Sequence, residues 1–197
     1  RGAPPPVDLD LLERELSGFL NDVLHGDFLA ARVPAGARRL NDIALSGNGE
    51  PTSAKEFGQV VELIGRTRRA LGVADTVKTV LITNGSLMQR AQVREAIRVM
   101  AGLNGEVWFK IDRATDAGMR KINHTRSSMS RVRANLEIAA RSCPTWVQTC
   151  MFAMDGMAPG TDELEAYLDF LRGCVDTGIA LQGVLLYGLA RPSMQPE

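Results

Sequence analysis

Asp42-Ile43-Ala44-Leu45-Ser46-Gly47-Asn48-Gly49-Glu50-Pro51-Thr52-Ser53-Ala54-Lys55-Glu56 is the stretch on which the fold turns. Its first four residues form a short apolar strand. A loop with two glycines follows, and Ser53 with Glu56 three positions later has the spacing of a capping box. The helix it would open carries Phe57, Val60, Val61, Ile64 and Leu71 on one side and stops at Gly72. Strand, loop and helix make one β/α unit.

The same unit recurs downstream. Residues 79–82 are a continuous apolar strand, followed by a helix with Val93, Ile97 and Met100 on one face. Residues 106–111 and their helix (Val132, Leu136, Ala140) repeat it, and Pro144 separates that helix from a strand over 145–152. Asp162 then caps a helix presenting Leu164, Tyr167, Leu168, Leu171 and Val175, and residues 179–187 close the series through Gly183. Upstream, Asp8 caps a helix over 9–24 with Leu9, Leu12, Leu16, Phe19 and Val23 in one stripe. His25-Gly26 ends it, with glycine supplying a left-handed turn and His25 facing the helix dipole. Strands alternating with helices every 30–40 residues or so predict βαβ crossovers and a parallel α/β sheet. Continuous apolar strands predict that both faces of it are covered. Trp108 and Trp146, on strands, belong to the predicted core. About five strands are fewer than the eight of a full TIM barrel. The opening helix has no strand before it, so a strand is expected upstream of Arg1, with residues 1–197 forming one truncated domain. The strand at 43–45 is then an unpaired edge, prone to association.

Ligands of parallel β/α folds sit at the carboxyl ends of the strands. The polar and glycine residues of this chain cluster there: Ser46 to Pro51, Thr83-Asn84-Gly85-Ser86, Lys110 with Asp112 and Arg113, Gln148 with Asp155-Gly156 beyond it, and Tyr187 followed by Arg191-Pro192. Gly47 and Gly49 let the backbone come close to a ligand. Their carbonyls can receive an ammonium group that Glu50 neutralises, which suits the α-amino end of an amino-acid-like ligand. A phosphate-binding Gly-x-x-x-x-Gly-Lys-Ser/Thr loop is absent. A tight turn with no ligand explains the two glycines equally well.

The run Leu45-Ser46-Gly47-Asn48-Gly49-Glu50-Pro51-Thr52 resembles the "GGEP" segment of radical S-adenosylmethionine (SAM) enzymes. Leu81-Ile82-Thr83-Asn84-Gly85 and Phe109-Lys110-Ile111-Asp112 resemble the family's next two strand ends, with Arg120-Lys121-Ile122-Asn123 after them. Val147-Gln148-Thr149 and residues 186–192 resemble the last two, so the likeness spans residues 40–192 in order. It implies a partial (β/α)6 barrel. It also implies that Gly47, Asn48, Gly49 and Glu50 hold the methionine end of SAM, that Thr83, Asn84 and Asp112 bond its ribose or carboxylate, and that Gln148 and Tyr187 line the cavity or the adenine side. The family's CxxxCxxC loop is absent. Cys143, Cys150 and Cys174 lack the spacing to replace it, so the 4Fe-4S cluster's ligands are expected upstream, and this polypeptide alone should have no radical chemistry. The resemblance further implies a reductant for the cluster and a 5′-deoxyadenosyl radical that takes a hydrogen atom from a substrate. That substrate could be a small molecule, an RNA base or a peptide.

Composition narrows the rest. Lys plus Arg and Asp plus Glu number 23 each, so no net field points to nucleic acid or a membrane. Apolar residues make up 45% of the chain, with no run near the ~20 residues of a membrane span and no signal-peptide core. That combination points to the cytoplasm. Residues 119–133 concentrate Arg120, Lys121, His124, Arg126, Arg131 and Arg133, either as an anion contact or as a solvated face. Two other function classes stay open: an ordinary β/α-barrel enzyme or binding domain that never held a cluster, and a degenerate relative used for protein contacts.

Overall fold

A computed structural model describes residues 5–47, 49–154 and 156–189. The chain is an α/β protein with a five-stranded, all-parallel sheet and interleaved helices. The strands are β1 (Asp42–Leu45), β2 (Lys78–Thr83), β3 (Gly105–Lys110), β4 (Thr145–Cys150) and β5 (Leu181–Tyr187). They lie side by side in chain order, each beside its predecessor. That order has no reversal of the kind that makes the crevice of a doubly wound sheet, and it is consistent with a partial, barrel-like α/β fold.

The crossovers are α3 (Phe57–Ala70), α4 (Ala91–Ala101), the pair α5 (Asp116–Asn123) and α6 (Met129–Ser142), and α7 (Thr161–Asp176). Before β1 come α1 (Leu9–His25) and the short α2 (Phe28–Arg32). Helix α1 buries Leu20 and Val23 and packs on α3, while Asp8 caps it by accepting from Leu11 N at 2.9 Å. Both follow from its stripe of apolar residues and its N-cap residue.

Register sorts the strand residues into two faces. Leu81, Val107, Phe109, Val147, Thr145, Thr149 and Thr83 share the outer face and are buried. There they meet Phe57, Val61, Val93, Ile97, Met100, Leu136 and Ala139 from the helices. At roughly 25 cal/mol per Å² of apolar surface, this layer supplies most of the driving force for folding. The inner face carries Ile82, Glu106, Trp108, Lys110, Trp146 and Gln148, all half-buried. The sheet is therefore not fully buried on both sides, and the two tryptophans are half-buried rather than core.

Several local expectations change. Ser53 does not cap α3: it sits in a 3-10 turn over Pro51–Ser53 and donates Oγ to the Glu50 carbonyl at 2.6 Å, while Glu56 precedes the helix. Pro51 opens that turn and takes the chain out of the helical path. Gly26 ends α1 with extended backbone, not a left-handed turn, its N–H reaching Asp22 O at 3.0 Å. Gly160, not Asp162, is the N-cap of α7; Asp162 and Glu163 lie in its first turn, where they oppose the dipole. Helix α5, capped by Thr115 accepting from Gly118 N at 2.9 Å, falls within a segment read above only as a basic loop and helix face.

Candidate functional site

At the carboxyl ends of the strands lies a cavity of about 680 Å³. Its walls include Ser46, Gly47, Gly49 and Glu50 after β1, Ile82, Asn84 and Ser86 from β2 and its loop, Lys110 of β3, Gln148 of β4 and Tyr187 of β5. The α5–α6 region closes the side with Asn123, Thr125, Ser127, Arg131 and Asn135. Five separate strand ends thus converge on one space, which adjacency in a parallel sheet makes inevitable once the register is set.

Glu50 organises the rim. Its Oε1 accepts from Thr52 N (3.2 Å), Thr52 Oγ1 (2.6 Å) and Thr83 Oγ1 (2.6 Å), and Oε2 accepts from Asn84 N at 2.8 Å. The carboxylate thereby ties the β1 loop to the end of β2. Among the described residues Oε2 accepts from no second donor. A Cβ added at Gly47 or Gly49 would meet nothing within 4 Å, so both glycines border open space into which a ligand can approach the backbone.

Gly85 has a different role. With φ +70 it adopts a left-handed conformation, and a Cβ there would stand 2.0 Å from the Phe109 ring. The end of β2 therefore lies directly on the core. Asn135 of α6 holds the same turn: its Nδ2 donates to Gly85 O at 2.9 Å, and its Oδ1 accepts from Gln89 Nε2 at 2.9 Å. Asn135 was missed above. Its signal was a polar residue inside the apolar stripe of Val132 and Leu136.

Not every expected site residue faces the cavity. Gly47, Gly49, Glu50, Asn84, Gln148 and Tyr187 do. Thr83 and Asp112 are buried behind the wall. Thr83 is spent on Glu50 and on Gly85 N, and Asp112 accepts from Cys150 N (2.9 Å) and Asn123 Nδ2 (2.8 Å). They brace the site rather than present groups to a ligand. Asn48, Asp155 and Arg191 lie outside the described residues. Of the basic segment, Arg131 lines the cavity, whereas Arg133 is turned onto the end of α7, bonding Gly173 O and Thr177 Oγ1.

Titration follows burial. The Tyr187 hydroxyl is pushed up to about 12, by desolvation first and then by the Asp112 charge and its contact with Cys150. Burial, with the charge of Glu106, pushes the Cys143 thiol up to about 12. Burial also raises Cys150 and Cys174. All three cysteines are free and buried. Among the described residues no group of three His, Cys, Asp or Glu is placed to hold a metal ion, and no helix is long and apolar enough to cross a membrane.

The class defined by fold and site is an α/β protein whose parallel sheet opens a polar cavity at its carboxyl edge. No family model matches the sequence. A stretch of 81 residues, 41% of the chain, is 35% identical to UPF0026 protein slr1464 of Synechocystis sp.. The chain spans about a quarter (26%) of the length of that relative.

Proposed function

We propose that this chain is the SAM-binding core of a radical SAM enzyme, a partial (β/α)6 barrel whose first strand and cluster-binding cysteines lie outside these 197 residues. The observation that carries the reading is the rim: a glycine loop open to a cavity of about 680 Å³, braced through Glu50 to the end of the next strand. SAM fits its donors. Carbonyls of the 46–49 loop and Glu50 Oε2 would receive its ammonium group. Asn84 and Gln148 offer amides to its carboxylate and ribose, and the Tyr187 ring offers a face to its base. The three buried thiols do not fit an iron-sulfur cluster, since among the described residues no three ligating side chains come together. When bound with its cluster, SAM supplies a 5′-deoxyadenosyl radical. This chain's residues hold the methionine end, orient the base and shape the space for a substrate, whose reaction would be an oxidoreductase, lyase or transferase step.

Two measurements test it. Calorimetric titration of this chain with SAM should show one site, and Glu50→Ala should remove it. The longest reading frame containing the chain, reconstituted without oxygen, should hold about four irons and form 5′-deoxyadenosine with a strong reductant. SAM binding without iron or deoxyadenosine would leave a degenerate binding domain, and absence of both would leave an ordinary β/α enzyme.

A further inference from the structure

Polar groups on the inner face of the sheet fall into two layers. In the lower, towards the amino-terminal ends, Lys78 is ion-paired with Glu106, which also accepts from Trp108 Nε1 at 3.1 Å. That layer is largely paired, except that the indole N–H of Trp146, beside Trp108 on β4, is buried without a hydrogen-bond partner among the described residues. In the upper layer Lys110 and Gln148 stand opposite each other on β3 and β4, both half-buried and both lining the cavity. Neither side chain has a hydrogen bond or ion pair to another described residue. Arg131, in the first turn of α6, lines the same cavity and has no carboxylate within 4.0 Å among the described residues. Glu50 is the one acid on the described walls, and it is committed to Thr52, Thr83 and Asn84.

Lys110 and Arg131 thus line one space in which Glu50 is the one described acid, its carboxylate tied to the rim. An anion between half-buried Lys110 and exposed Arg131 would meet a bidentate fork from the guanidinium and a point charge from the ammonium. The hydroxyls of Thr125 and Ser127, on the same wall, are suited to its remaining oxygens.

We propose that the substrate of this cavity is a small molecule carrying a phosphate or carboxylate, clamped by Lys110 and Arg131. The proposal rests on the SAM reading: SAM takes the 46–49 rim with its cationic end, and the second ligand takes the cationic wall. A small molecule is favoured over a nucleic acid because only Arg131 of the 119–133 cations reaches the cavity, whereas backbone recognition of RNA recruits a wider basic surface.

The test is titration calorimetry at low ionic strength with pyrophosphate and with glutarate, in the presence and absence of SAM. The proteins are the unaltered chain, Lys110→Met, Arg131→Met, the pair combined, and Lys121→Met as a control off the cavity wall; circular dichroism melting confirms folding. The unaltered chain should bind at least one probe. Each single variant should weaken it by about tenfold or more and the pair should abolish it, as loss of charge-assisted bonds requires. SAM affinity and the control should be unchanged. Three outcomes overturn the proposal: no probe binding by the unaltered chain, loss of SAM in place of the probe (the cations then hold the cofactor's own carboxylate), or tight binding of a single-stranded RNA that Lys121→Met weakens equally. If the probes bind through Lys110 and Arg131 while SAM does not bind at all, the SAM reading falls and the anion clamp stands.

Discussion

Replacing Glu50 with Gln changes one atom and removes one charge, and the hydrogen bonds around the carboxylate set the cost. With the amide oxygen in the place of Oε1, the bonds from Thr52 N, Thr52 Oγ1 and Thr83 Oγ1 persist as neutral ones. The amide nitrogen then faces Asn84 N–H, donor against donor, across the 2.8 Å now spanned by a hydrogen bond. The opposite flip keeps the Asn84 bond but sets the amide nitrogen against Thr52 N–H and makes the two threonine hydroxyls turn from donors to acceptors. Converting charge-assisted to neutral bonds costs a few tenths to about 1 kcal/mol each, and the lost Asn84 bond adds ~1 kcal/mol, for about 2–3 kcal/mol overall. With a urea m-value on the order of 2–3 kcal/mol/M, the unfolding midpoint should fall by about 1 M. Equilibrium urea unfolding followed by far-UV circular dichroism measures this. On the proposed SAM reading, affinity for SAM should fall in parallel, because the Glu50 rim loses part of its tie to the end of β2. A midpoint within about 0.2 M of the unaltered protein would refute the idea that Glu50 braces the site, and would assign its carboxylate to the ligand alone.

Gly85→Ala should destabilise by about 3 kcal/mol or more, combining left-handed backbone strain with a clash against the buried Phe109 ring, and should be read from the same urea curves. Gly183→Ala places a methyl group 2.8 Å from the Trp146 ring where β5 carries its register shift, so a loss of about 1–3 kcal/mol should come with altered tryptophan fluorescence. The thiols of Cys143, Cys150 and Cys174 are all raised by burial, so at pH 8 none should react with a thiol reagent until urea unfolds the chain; fast native labelling of any of them would contradict the packing. Raised acids bind protons more tightly in the folded state. The stability contributed by buried Cys143 should therefore be complete below about pH 9 and be lost as pH rises towards about 12, which melting temperatures across that range measure.

How much of this was readable in advance depends on the range of the interactions involved. Strand and helix identity are local: the apolar runs at β2 and β3 and the 3.6-residue stripes of α1, α3 and α4 follow from periodicity, and with them the parallel sheet and the gathering of loops at its carboxyl edge. Those properties also placed Gly47, Gly49, Glu50, Asn84, Gln148 and Tyr187 at one site. What periodicity cannot supply is the partner of each polar group. Glu50 was legible as an acid beside glycines, but its bond to Thr83 crosses 33 residues and exists only because β1 and β2 pair in one register. Asp112 and Thr83 look like ligand groups in the chain but are buried and bonded to Cys150, on the neighbouring strand, and to Glu50, in the loop after β1. Periodicity along the chain brought the strand ends and their loops to one mouth of the sheet. Strand pairing sorted the residues consumed by one another from those, Lys110 and Gln148 foremost, with no described side-chain partner, because hydrogen-bond satisfaction is a property of neighbours in space and not along the chain.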